Sequence, residues 1–256
     1  MDEKEKPTGE NMKKKRNRKI FFWFIVFAIV YSLFFTVLKF TGNPILENSQ
    51  TKEKLDIQDL GSIYPVHENI VTTVFWVGED ADKSNDFIDN KQSAWDDAWM
   101  EHYGGVDNAY RRKGYMPAEF RPKENPFYFA LPYNDFDEGE RKSTSQEVYW
   151  VNEKEWGENE SMCKNRWIRI IKNGIVAYAQ WEDAGPFGEN DYNYVFGESA
   201  PNNNMNSNAG LDVSPAVRDY LKLKDMDIVS WQFVDFSDVP QGPWDVIPTS
   251  SQIYWE

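Results

Sequence analysis

Trp167-Ile168-Arg169-Ile170-Ile171-Lys172-Asn173-Gly174-Ile175-Val176-Ala177-Tyr178-Ala179-Gln180-Trp181 is the stretch on which the fold turns. Two runs rich in β-branched and aromatic residues flank Asn173-Gly174. Both turn residues tolerate positive φ, so the segment predicts a tight β-hairpin. Its second strand delivers Glu182-Asp183 to a break at Gly185-Pro186. Working outward, further strands are expected at residues 70–77 (IVTTVFWV), 127–132 (FYFALP) and 228–234 (IVSWQFV), all dense in the residue types that suit a pleated surface. The folded part is therefore mainly β, with Trp231 facing inward.

Short helices are expected between the strands. Residues 93–100 read as one, with Trp95 and Trp99 four apart on a shared face. Ser214-Pro215 has the pattern of an N-cap followed by proline at the first helical position, with Val217, Tyr220 and Leu221 on one side. Residues 188–209, with Asn202-Asn203-Asn204-Met205-Asn206-Ser207-Asn208, read as a loop too polar to pack.

Upstream, residues 20–38 carry no charge, and at 1.5 Å per residue they span roughly 28 Å, close to the hydrocarbon thickness of a bilayer. With its continuation into Lys39-Phe40-Thr41, this segment predicts one transmembrane signal-anchor helix at 20–41. Lys13, Lys14, Lys15, Arg16, Arg18 and Lys19 crowd its N-terminal flank, so the positive-inside rule places the tail 1–19 in the cytoplasm and the remainder outside the membrane. Residues 42–68 are polar and read as a stalk, and 69–256 as the extracytoplasmic domain.

Of the formal −14, residues 1–19 account for +4 and Lys39 for +1, which leaves −19 on residues 42–256. Such a domain repels nucleic acid. Cys163 is the only cysteine, so no internal disulfide forms, and His67 and His102 are the only histidines. Histidine-rich zinc sites and serine–histidine–aspartate catalysis are disfavoured, no phosphate- or dinucleotide-binding loop occurs, and no metal or cofactor is expected. Asp135-Phe136-Asp137-Glu138-Gly139 lacks the spacing of a calcium loop and reads as a solvated turn.

Three segments in order, Asp183-Ala184-Gly185-Pro186-Phe187, Leu211-Asp212-Val213-Ser214-Pro215 and Trp231-Gln232-Phe233-Val234, resemble the double-psi β-barrel of expansins and rare-lipoprotein-A-type lytic transglycosylases. The likeness covers about residues 127–240. It implies a six-stranded double-psi β-barrel with inserted loops and short helices, preceded here by the transmembrane helix. It also implies action on a cell-wall or surface polysaccharide such as peptidoglycan. The chain departs from the pattern at Ala184, where those families have arginine, and in the length of 188–209.

Carried over by position, Asp183 takes the place of the groove aspartate, a proton donor in the lytic enzymes and a binding residue in expansins, and Asp212 that of the helix-opening aspartate. Asp135 is placed beside the groove as a second catalytic carboxylate. From the residues alone, Asp183 also fits a turn-former at the Gly185-Pro186 bend. Glycosidic cleavage calls for a proton donor and, in most enzymes, a second acid. Adjacent strand residues face opposite ways, so Glu182 and Asp183 cannot both line a groove, and Glu189 and Asp191 stand as other acids for the site. Flat indole faces suit sugar rings. Trp76, Trp95, Trp99 and Trp181 have charged sequence neighbours and are expected at the surface, with Trp76, Trp181 and Phe187 as glycan contacts. Two functions follow: a wall-facing lytic transglycosylase, or a non-catalytic expansin-like binding module.

Overall fold

The computed structural model describes residues 63–255 other than 84 and 86. Six strands close a barrel: β1 (His67–Val74), β2 (Tyr128–Leu131), β3 (Trp167–Lys172), β4 (Ile175–Ala184), β5 (Leu211–Val213) and β6 (Met226–Val234). Their order around the barrel is β1-β6-β3-β4-β2-β5 and back to β1. The β4/β2 and β5/β1 pairs are parallel, and the others are antiparallel. Parallel neighbours cannot be joined by a tight turn, so the chain makes long excursions between strands, and these build the site.

The hairpin forms as expected. Asn173 and Gly174 take φ of 50° and 77° between β3 and β4, and Lys172 pairs with Ile175. Trp231 is fully buried, and its indole N–H donates to the Tyr194 hydroxyl at 2.9 Å. β1 begins three residues before the expected run, because His67 stacks on Trp231 with ring centroids 3.9 Å apart. Burial lowers the His67 pKa to about 4, so the ring is neutral at pH 7. Tyr64 is also in the core, donating to Asp235 Oδ1 at 3.0 Å.

Three α-helices are described: α1 (Trp99–Tyr103), α2 (Tyr192–Val195) and α3 (Pro215–Leu221). α3 is capped as its sequence predicts, Ser214 Oγ accepting the Val217 N–H at 3.3 Å. Two expectations are corrected. The helix read at 93–100 starts only at Trp99, because the Asp96 carboxylate accepts the Ala98 N–H at 2.9 Å and holds the preceding residues in turns. Trp95 and Trp99 are both buried but in separate clusters. The segment 188–209 is not merely a solvated loop: it contains α2, whose Tyr194 and Val195 are fully buried. Its asparagine-rich half distracts from the aromatic half that packs.

Among the described residues, no helix is long and apolar enough to cross a membrane. The transmembrane helix expected at 20–41 lies outside them.

Candidate functional site

One row of register partners crosses five strands at one mouth of the barrel. Met226 on β6 is level with Thr73 on β1, Thr73 with Asp212 on β5, Asp212 with Ala130 on β2, and Ala130 with Asp183 on β4. All five line an open groove of about 510 Å³. Glu79, Asn85 and residues 88–90 and 92–94 wall it on one side, and Phe187, Glu189 and Asn206 on another.

The register of Asp183 depends on an irregularity. Phe129 pairs with Trp181, but the next residue, Ala130, pairs with Asp183 and skips Glu182. This bulge sends the two adjacent acids to different surroundings. Glu182 is buried in an ion pair with the fully buried Lys164, Oε2 to Nζ 2.5 Å. Asp183 is half-buried at the groove.

Asp183 Oδ1 accepts the N–H groups of Ala94 at 2.7 Å and Ala184 at 2.8 Å. Burial nevertheless pushes its carboxyl up to about 7, with smaller contributions from Glu189 and Asp212, against the lowering by those two bonds. Asp212, whose Oδ1 accepts the Thr73 hydroxyl, is raised by burial to about 6. Glu79, nine-tenths buried, takes the Asn90 amide on Oε2 at 2.9 Å and is raised to about 7, again mainly by burial. The groove thus holds three carboxyl groups that share protons with solvent near neutrality. Such a set can both donate and accept a proton at one pH.

Of the residues expected from sequence, Asp183, Asp212, Glu189, Trp76 and Phe187 are brought together here. Asp135 is not. It is fully buried, and Arg141 Nη1 at 2.9 Å, Ser161 Oγ at 2.6 Å and the Met162 N–H at 2.7 Å all donate to its carboxylate. It ties three segments together away from the groove. Asp191 likewise accepts the Asn202 N–H at 2.7 Å and does not line the groove. Trp181, expected at the surface, is fully buried, stacked near Phe129 with its indole N–H donating to the Asp183 carbonyl at 2.8 Å. Trp95 and Trp99 are also fully enclosed, so Trp76 is the indole left at the groove.

Sequence reasoning missed Glu79, Ala130 and Ala94. Glu79 carried a readable signal, since it follows Val77-Gly78 at the end of a β-rich run, as Asp183 does. The Ala94 segment is itself held from behind. The Tyr254 N–H donates to the Trp95 carbonyl at 2.7 Å, the Asp97 N–H to the Tyr254 carbonyl at 3.0 Å, and Trp255 Nε1 to the Ala94 carbonyl at 3.3 Å.

No protein-family model matches this chain, and no match was found among curated proteins.

Proposed function

We propose that this is a membrane-anchored, extracytoplasmic protein acting on a cell-wall glycan in the manner of a lytic transglycosylase, with Asp183 as the acid and base. The observation that carries the reading is a half-buried aspartate with a carboxyl raised to about 7, standing in an aromatic-rimmed groove at the mouth of a closed, mixed six-stranded barrel. That barrel is compatible with the double-psi arrangement implied by the resemblance of Asp183–Phe187, Leu211–Pro215 and Trp231–Val234. The uncharged stretch 20–38 with its basic flank supports the anchor and the outward orientation.

In this reading a sugar chain lies along the groove against Trp76, Tyr110 and Phe187. Protonated Asp183 gives its proton to the glycosidic oxygen as the bond to the anomeric carbon breaks. The resulting carboxylate then takes the proton of the sugar's own hydroxyl as that oxygen attacks the anomeric carbon. One carboxyl group serves both steps, and Asp212 stabilises the positive charge that develops between them.

The test is incubation of the full chain, in detergent micelles, with purified peptidoglycan, scoring bound protein and released fragments. Binding with release that disappears in Asp183→Asn supports the enzyme. Binding without release from either protein replaces it with the expansin-like module. Absence of binding removes both.

A further inference from the structure

The groove is defined by its depth and its aromatic rim, and its charge is a separate observation. Trp76, Tyr110 and Phe187 line it, with the Tyr110 ring 76% exposed and edge-on to Trp76 at 6.1 Å. Six carboxylates also line it: Glu79, Asp89, Asp183, Glu189, Asp212 and Asp225. Among the described residues lining it, Arg218 is the one cation. Its guanidinium is already committed to Asp219 Oδ1 at 2.8 Å and to the Ala109 carbonyl at 2.7 Å. On the floor, Asp183 and Asp212 each use only Oδ1 toward the protein, and neither Oδ2 accepts a hydrogen bond from a described residue.

Once its carboxyls ionise, the floor offers acceptors and negative charge, and the one cation in the lining, Arg218, is engaged elsewhere. A glycan bearing N-acyl groups brings a carbonyl acceptor and a single uncharged N–H to each such position. A glycan bearing carboxylates brings repulsion. A free amino sugar brings an ammonium with three donors. Flat ring faces suit the sugar plane, and aromatic faces also attract the adjoining cation. A basic peptide is less well served, because peptides in extended form dock by pairing with a free strand edge, and the closed barrel has none. A bare metal ion is poorly served too: the described residues contain no group of three or more acidic, histidine or cysteine side chains placed to hold one.

We propose that the groove selects a polysaccharide whose hexosamines carry free amino groups over its N-acylated or carboxylated counterparts. This rests on the glycan reading above and goes further, to the chemistry of the chain that is bound. The raised carboxyls are consistent with it, since an ammonium between Asp183 and Asp212 supplies the counter-charge that burial withholds.

The experiment titrates the full chain, in neutral detergent, with a β-1,4-linked glucosamine hexamer, an N-acetylglucosamine hexamer and a lysine hexapeptide, following the heat of binding. The glucosamine hexamer should bind at least about tenfold more tightly than either of the others, and its affinity should fall with added salt. Glu79→Gln should cut that affinity about tenfold and weaken binding of the N-acetylated hexamer by a much smaller factor. If Glu79→Gln fails to fold by circular dichroism, the double variant Asp89→Asn with Asp225→Asn, at two exposed positions, carries the same expectation. Equal or tighter binding of the N-acetylated hexamer, equal binding of the lysine peptide, or no binding of any probe overturns the proposal. It fails separately from the lytic reading. Release from N-acetylated strands without amine preference sinks the selectivity alone, and amine preference without release sinks the catalysis alone.

Discussion

Asp183 and Asp212 share a partner: each lies in register with Ala130, one from each side of β2. Neighbouring strands are about 4.8 Å apart, so the two α-carbons stand roughly 10 Å apart with the smallest chiral side chain between them. Ala130 therefore sets the width of the floor. Ala130→Leu should fill it, abolish glycan binding and cost about 1–3 kcal/mol of stability through overpacking. The paired measurement is a denaturant titration with a binding isotherm, and binding that survives places the ligand elsewhere.

If Asp183 delivers the proton, the protonated form is the active one. Product release should hold steady on the acid side and decline as pH rises through about 7, the value to which burial lifts this carboxyl. A rate that climbs across the same interval would assign Asp183 the role of base in the limiting step.

The same shift has a stability consequence. The folded pKa of Asp183 lies above its unfolded value near 4, so the folded state binds the extra proton between them. Its contribution is fully present below about 4 and is lost as pH rises through about 7. Asp183→Asn can retain both hydrogen bonds accepted by Oδ1 while removing the charge. Relative to the parent protein, the variant should gain several degrees of melting temperature at pH 8 compared with pH 4. A difference that does not vary with pH would show that the carboxyl is not perturbed.

Lys164 and Glu182 form a fully buried pair. Lys164→Met alone should destabilise by about 3–5 kcal/mol, because Glu182 is left as an uncompensated charge. Adding Glu182→Gln should recover much of that loss. Strict additivity of the two changes in a double-mutant cycle would argue against direct coupling.

Trp231→Ala should cost about 3–5 kcal/mol, since the indole fills the barrel interior between His67 and Tyr194. Chemical denaturation measures this, and a loss below ~1 kcal/mol contradicts its burial.

The strands were legible because β-branched and aromatic runs report directly on a pleated surface, and the Asn173-Gly174 turn because its two residues suit positive φ. The bulge at Glu182 was not legible. No residue type marks it, and it arises from matching β4 to β2, a segment about fifty residues away in the chain. Asp135 and Asp183 look alike in sequence, each an acid close to the end of a strand. Only the distant Ser161 and Met162, together with Arg141, reveal that one is locked into the interior while the other faces the groove. The tryptophans misled for a related reason. The charged neighbours of Trp181 and Trp95 turn to other surroundings, Glu182 to Lys164 and Asp96 to His102, and leave the indoles to the core.

The grip of Tyr254 and Trp255 on the residues around Ala94 has a bearing on where the precision of the site comes from. The last barrel strand ends at Val234, and residues beyond it help to fasten the segment that donates to Asp183, together with Trp95 Nε1, which donates to Asn134 Oδ1 at 2.9 Å. One of the two donors to Asp183 is therefore steadied from outside the barrel, by residues that contribute nothing to its closure.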